Sequence, residues 1–418
     1  MAIRFSPPRL TASLAPADVM AILAAASLPW STTLPAIFIG LWLLSLIPII
    51  DRDEIAQLAT RRACLWPILF FGLACIGMLW AEVPWPARLY AVGPVAKLLA
   101  IPLLFYHFRR SGRGIWVFVA FFTSCVLLMI LSWIVTIDPR LALKADAYPG
   151  VPVKNYIDQS QEFALCTIGA LYVIVKAARR KRWLIVSLLT LSTISLFANM
   201  AFVVVSRTAL VTMPIMIAVF AVSHLTRRGM VTALVSIGII VTAVWFASPN
   251  LRERAGTLFS QYHAYETTNE STSIGMRIEF WRKSLRFFAA APLIGHGSGS
   301  VKSLFAEAAA GQTGAAAEIV ANPHNQTFYA AVQWGIVGIA ILYAMWLSHL
   351  LMFRGIELPH WVGLLVVAQN MMSSLFNSHL FDFHAGWMYV LGVGVAGGMV
   401  LADQASSPSL HRQEKASI

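Results

Sequence analysis

Three short stretches of this chain hold residue types that could do chemistry. In Ser206-Arg207-Thr208, one arginine interrupts a strongly apolar run. A charge in such a run is costly and generally functional. Ser206 suits the N-cap of a helix continuing from Arg207. A cation at a helix N-terminus opposes the macrodipole, so an anionic group is expected beside it. The bland alternative is an arginine snorkelling to lipid headgroups.

The second stretch runs from Arg277 through Trp281, Arg282, Lys283 and Arg286 to Pro292-Leu-Ile-Gly295-His-Gly297-Ser-Gly299. Helical spacing puts Arg277, Trp281 and Leu285 on one side and Arg282 with Arg286 on another. A basic amphipathic helix on a membrane would suit an anionic lipid. Gly295 and Gly297 would allow a phosphate close to the backbone, although no strand precedes them. Taken alone, the stretch reads better as a solvated basic face followed by a turn.

The third is Asn322-Pro323-His324-Asn325. Asn322 suits an N-cap and Pro323 the first helical turn. His324 would then sit by the positive end of a helix, which keeps an imidazole neutral and fit to act as a general base. A lone interfacial histidine is more often structural, and the two outer-face arginines are what raise this one. Asp51-Arg52-Asp53 has the form of a metal-binding DxD, but Arg61 and Arg62 nearby make it a solvated loop. His379, Asp382 and His384 match no strong ligand spacing, and no metal is assigned. His107, His224, His349 and His360 lie near helix ends and suggest nothing specific.

The elements that must position these residues are apolar helices. Of 418 residues, 58% are hydrophobic and 12% charged, with mean hydropathy +0.71. Globular domains carry about 25% charged residues, and a bilayer span takes about 20 apolar residues. Apolar runs fall near 18–30, 33–50, 64–80, 87–106, 114–136, 159–176, 183–203, 208–224, 230–247, 325–353, 360–377 and 384–402, and the first two could form one broken hairpin. The expectation is an all-α polytopic membrane protein with about twelve transmembrane helices. Residues 1–247 hold nine of them, 248–323 a long outer loop with short helices, 324–402 three more, and 403–418 a polar tail. Apart from Lys97, the spans read as almost free of charge.

Basic residues lie in short clusters between the runs, which excludes a nucleic-acid surface despite the net charge of +12. With the N-terminus inside, cytoplasmic segments carry 18 basic residues against five in the short outer loops. The positive-inside rule then places both termini in the cytoplasm and the three chemical stretches outside. Arg4, Arg9 and the apolar run ending at Ala26 resemble a signal peptide, but Pro7, Pro8 and Asp18 favour an uncleaved first helix. Cys64, Cys75, Cys125 and Cys166 lie in apolar runs with no pairing pattern, so no structural disulfide is expected.

The segments SRTAL, R…W…PLIGHGSG and PHNQTFYAAVQWGIVG together resemble the O-antigen ligase family, which also includes O-antigen polymerases and protein O-oligosaccharyltransferases. The most distinctive is the last, with His324-Asn325 followed by Gly335 and Gly338. The resemblance implies a GT-C-like fold in the bacterial inner membrane. It implies periplasmic transfer of a glycan from undecaprenyl diphosphate to a sugar hydroxyl of lipid A–core. His324 would be the base, and Arg207 and Arg277 would hold the diphosphate. Asn325, Trp281, Arg282, Arg286, Gly295 and Gly297 would support them. The reaction would be inverting, without metal or other cofactor, in contact with membrane lipids and no nucleic acid. A polymerase of the same family is the alternative, and an anionic-lipid transporter a more distant one.

Overall fold

The computed structural model describes residues 14–144, 149–204 and 206–406, without the side chains of a few helical residues, Arg207 among them. Arg4, Arg9, Pro7 and Pro8 at one end, and Arg412 and Lys415 at the other, lie outside the described residues.

The described elements are helices and turns, with no strand among them. In order they are α1 (Ala15–Ser27), α2 (Thr33–Leu46), α3 (Arg52–Ala59), α4 (Arg62–Ile76), α5 (Trp85–Ala96) and α6 (Ala100–Arg110). There follow α7 (Gly114–Ile137), α8 (Tyr156–Arg179), α9 (Trp183–Phe202), α10 (Arg207–His224) and α11 (Arg227–Ala247). The segment read as a long loop contains α12 (Pro249–Thr268), α13 (Ser273–Ala290) and α14 (Val301–Ala309). The chain ends in α15 (Gln326–Met352), α16 (Leu358–Ser373) and α17 (Phe383–Ser406). The last helix thus runs past Asp403, where the sequence suggested a polar tail.

A helix falls on each of the twelve apolar runs, but they differ in reach. Among the described residues, seven segments are long and apolar enough to cross a membrane: Trp85–Arg110, Gly114–Ile137, Tyr156–Arg179, Trp183–Phe202, Arg227–Ala247, Gln326–Met352 and Phe383–Ala405. Helices α1 and α4 have 13 and 15 residues, roughly 20 Å of rise against a hydrocarbon core of about 30 Å. Helix α2, extended to Ile49, meets α3 across a bend of 118°. The first two runs do form a hairpin. It is tied part-way along α7, where Trp30 Nε1 donates to Ser124 Oγ at 2.7 Å and Ser124 Oγ donates to the Ala26 carbonyl at 2.5 Å.

Helix α11 shows why this surface needs lipid. No described residue of it is buried, yet Val231, Leu234, Val235, Ile239 and Phe246 line it. Inside the bundle, α17 lies against α6 through small residues. A Cβ on Gly394 would come 2.4 Å from Leu104 Cδ1, and one on Gly397 2.2 Å from Phe105 Cε1. Without a solvent-driven force between helices in lipid, such close approach supplies the contact.

The spans hold more buried charge than the Lys97 that the sequence reading singled out. Asp18 in α1 is 2% exposed and Glu162 in α8 is 0% exposed. Asp18 accepts from Ser111 Oγ at 2.5 Å and sits 2.9 Å from His107 Nε2. Trp42 Nε1 donates to His107 Nδ1 at 3.0 Å, so that imidazole is neutral with its proton on Nε2. Glu162 pairs with Lys154 Nζ at 2.9 Å. Each carboxylate is hidden from a sequence scan because its partner lies on another element.

The DxD is also resolved. Asp51 caps α3, accepting from the amides of Asp53 and Glu54 at 3.0 and 3.2 Å. Helix-capping is what an aspartate in that position does best.

Candidate active site

Helix α15 is broken, and the break organises one end of the bundle. Gly335 has φ +59° and ψ −150°, outside helical values. The freed groups are taken up by the segment 292–299. Ile336 N–H donates to the Pro292 carbonyl at 2.8 Å, while the amides of His296 and Gly297 donate to the carbonyls of Val332 and Gln333 at 2.9 and 2.8 Å. Ser298 N–H donates to Gly77 at 2.9 Å, and Gly299 N–H to Gln333 Oε1 at 2.7 Å. Non-helical backbone at membrane depth survives only when its polar groups are matched in this way.

This corrects the reading of Gly295 and Gly297 as room for a phosphate. Their φ values are +65° and +84°. A Cβ at Gly295 would meet the Gln333 carbonyl carbon at 2.4 Å, and one at Gly297 would meet Ala81 Cα at 2.6 Å. The close approach is to the protein's own backbone, and the amides are already engaged.

At the N-terminal end of α15, Asn325 rather than Asn322 caps the helix, accepting from Phe328 N–H at 3.1 Å. The chain reaches that cap through His324 in the left-handed region, φ +54°, a strained state that clusters at functional sites. Asn322 holds the turn, its Oδ1 accepting from His324 N–H at 2.9 Å and from Ser378 Oγ at 2.7 Å.

The imidazole itself is oriented by a chain of two residues. His324 Nδ1 lies 2.9 Å from Asn377 Oδ1, and Asn377 Nδ2 donates to Asp382 Oδ2 at 2.5 Å. A carboxylate only accepts, so the Asn377 amide must turn its NH2 to Asp382 and its oxygen to the ring. Nδ1 therefore carries the proton. Nε2 is left as the lone-pair nitrogen, with no hydrogen bond to it among the described residues. Phe280 of α13 stacks on the ring, centroids 5.9 Å apart and planes 23° apart.

Electrostatics supports a neutral ring. Burial lowers the His324 pKa below its ordinary 6.5; the Asn377 hydrogen bond opposes this, and the Arg277 guanidinium adds to it. Arg277 is therefore close enough to act on His324. It acts also on His379, which burial drives down to about 4. Burial raises Asp382 to about 6, with Asp158 pushing the same way and Lys97 and His384 opposing.

Lys97, at the break between α5 and α6, anchors the loop that carries this chain. Its ammonium donates to the carbonyls of Phe381 and Asp382 at 3.0 and 2.5 Å. His379 and His384 face different partners, Gln161 at 3.2 Å and Asp158 at 3.1 Å. Beside His324, both polar atoms of the buried Gln326 side chain and the hydroxyl of Ser374 have no hydrogen-bond partner among the described residues. Buried groups of this kind call for water or a ligand.

Arg207 begins α10, with Ser206 at the N-cap in extended geometry but making no side-chain capping bond. The side chain of Arg207 lies outside what is described. The helix direction still places its backbone. At the far end of α10, His224 lies against Trp361 of α16 and Tyr172 of α8, with centroids 4.8 and 5.3 Å apart. Arg207 is 17 residues away, about 26 Å at 1.5 Å per residue, which brings it to the end of the bundle where α8 starts and α16 finishes. His379 and Asn377 are at that end.

The supporting residues divide. Asn325 caps α15, and Trp281 packs on Phe328 with centroids 6.0 Å apart. Arg282 is exposed and pairs with Glu279 at 3.5 Å, and Arg286 is exposed as well. Leu285 is 54% exposed. Asn377, Asp382, Lys97 and Phe280 were missed by the sequence reading. The polar run 377–384 between two apolar runs was the available signal, but it was weighed only as a metal site.

Residues 195–343 match the family model described as O-antigen ligase. Over that segment the chain is similar to the O-antigen ligase family. The matched segment contains Arg207, Arg277, the 292–299 loop and His324, and stops before Asn377 and Asp382. The matched segment thus runs from within α9 to beyond the Gly335 break, and the residues that orient His324 come from the chain after it. No curated protein matches the chain.

Proposed function

We propose that this protein is an O-antigen ligase, moving a glycan from undecaprenyl diphosphate to a sugar hydroxyl of lipid A–core at the periplasmic face of the bacterial inner membrane. Twelve membrane-crossing or membrane-inserted helices in a GT-C-like bundle, both termini cytoplasmic, complete the reading. The observation that carries it is the His324–Asn377–Asp382 chain, with Arg277 beside it, inside and next to the family segment.

In this mechanism His324 Nε2 takes the proton of the acceptor hydroxyl. The oxygen attacks the anomeric carbon of the donor, and the bond from that carbon to the diphosphate oxygen breaks with inversion. Undecaprenyl diphosphate leaves with the electron pair. Arg277 and Arg207 neutralise the charge that collects on it, as guanidinium does well for phosphate oxygens. Asn377 and Asp382 act through His324, holding its proton on Nδ1.

The buried Asp18 and Glu162 remove the argument that spans almost free of charge count against a transporter. Both are fixed by close partners, which supports a structural role for them. Deleting the protein and analysing the envelope tests the proposal. Lipopolysaccharide without O-antigen, with full-length glycan accumulating on the carrier, is the expected result. Carriers holding single repeats would instead identify a polymerase, and a change only in the membrane side of the glycan a transporter.

A further inference from the structure

The end of the bundle opposite His324 has a cavity that the reaction does not use. It holds about 170 Å³ and lies between α8, α10 and the turn before α16. Lys176 and Arg179 of α8 supply its cations, Phe220, Tyr172 and Ile356 its apolar walls, and Ser223 and His224 its remaining polar groups. The volume would take about six waters at about 30 Å³ each, room enough for one tetrahedral phosphate group with its ester oxygens.

Three observations point to an anion there. The Lys176 ammonium is 5.5 Å from the Tyr172 ring centroid, so its stem lies along the wall with its charge at the cavity. His224 is packed by three rings, stacked on Phe220 at 5.2 Å and edge-on to Tyr172 and Trp361. Arg179 lines the same cavity, so two cations stand beside that rigid wall and supply the charge an anion would meet. One carboxylate opposes: Glu357 Oε2 is 3.6 Å from Lys176 Nζ and accepts from Tyr172 OH at 3.4 Å. Its side chain is 59% exposed and free to turn away, whereas Arg179 to Arg182 and Arg227 to Arg228 keep the surroundings basic.

The geometry points to a site for the phosphodiester of an anionic glycerophospholipid, taken from the leaflet facing the Lys176–Arg182 turn. Basic pockets between membrane helices on the cation-rich side are suited to such headgroups. The site lies a full helix length from His324, so it does not depend on the reaction proposed above.

The test is native mass spectrometry of the full chain released from nanodiscs of mixed phosphatidylcholine and phosphatidylglycerol. Wild type should retain phosphatidylglycerol in preference to phosphatidylcholine. A cation near an anionic lipid is worth about fivefold in affinity. With Glu357 opposing and Lys176 partly solvated, Lys176→Gln with Arg179→Gln should lower the retained phosphatidylglycerol by roughly tenfold. Lys176→Arg with Arg179→Lys should keep it, as should Arg180→Gln with Arg182→Gln, which changes the same turn outside the cavity. Equal retention by wild type and the Lys176→Gln, Arg179→Gln variant would overturn the proposal. So would equal losses in the cavity variant and the Arg180, Arg182 variant. Inorganic phosphate bound with no preference for phosphatidylglycerol would also overturn it, since the source would then be soluble.

Discussion

Replacing Asn377 with leucine probes the reasoning most sharply, because it keeps the side chain's approximate volume and removes the whole polar relay, its contacts to His324, Asp382 and Asn322. The ring of His324 would lose the acceptor at 2.9 Å that holds the proton on Nδ1 and would keep its stacking on Phe280. A neutral hydrogen bond is worth about 0.5–1.5 kcal/mol, so the population of correctly oriented, Nε2-bare imidazole should fall by about three- to tenfold. Because Asn377 touches the base and not the donor, kcat should fall by that factor with KM for the lipid-linked glycan little changed. The pH profile adds a sign. The Asn377 hydrogen bond raises the His324 pKa and the nearby Arg277 lowers it. Above that pKa the ring is neutral and active, and below it Nε2 is protonated and cannot accept. Asn377→Leu should therefore move the acidic limb of kcat/KM to lower pH, and Arg277→Gln should move it to higher pH. The assay is glycan transfer by purified protein in nanodiscs across about pH 5 to 8, the range in which histidine titrates. Shifts in the same direction for both variants, or an Asn377→Leu defect confined to KM, would refute the chain of contacts as the source of the effect.

His324→Ala should lower the transfer rate by about 10²–10⁴-fold with the protein still folded, read from product formation and monodispersity together. Arg277→Gln should also raise KM for the donor several-fold, since one phosphate contact is lost, and inorganic pyrophosphate should inhibit it less than wild type. Gly297→Ala would force a Cβ to 2.6 Å from Ala81 Cα at φ +84°, a strain of about 1–3 kcal/mol before the clash is counted. A lower Tm and poor recovery are expected, with kcat unchanged in what folds. Lys97→Met would leave the Phe381 and Asp382 carbonyls without their ammonium donor, so both thermal stability and the Asp382-dependent rate should drop, and Lys97→Arg should restore part of each.

Much of this arrangement was legible in the sequence because hydrophobicity is local. Every apolar run became a helix, and Arg207 and His324 fell at helix starts, where caps and prolines mark a boundary. Depth was not legible, since α1 and α4 are as apolar as longer helices and their reach depends on what they pack against. The glycine run was read as open for the same reason. A φ above zero can be expected from the residue type, but whether the space belongs to a phosphate or to Ala81 is a tertiary fact. Asn377 lies 53 residues from His324, and no spacing rule links them. Asp18 and Glu162 are tolerated in their spans because His107 and Lys154 reach them, and those pairings are tertiary facts too.

The docking of 292–299 into the broken α15 has a bearing on biogenesis. This segment closes gaps in two places, the Gly335 break and the carbonyls of Ala74 and Gly77 at the end of α4. During synthesis the end of α4 enters the bilayer more than two hundred residues before its partner is made. The earliest helices must therefore wait half-assembled, the end of α4 uncovered, until a late segment returns to seal it. Truncations that stop short of Gly299 would leave the earlier helices exposed to quality-control proteases, even though every one of them had been translated.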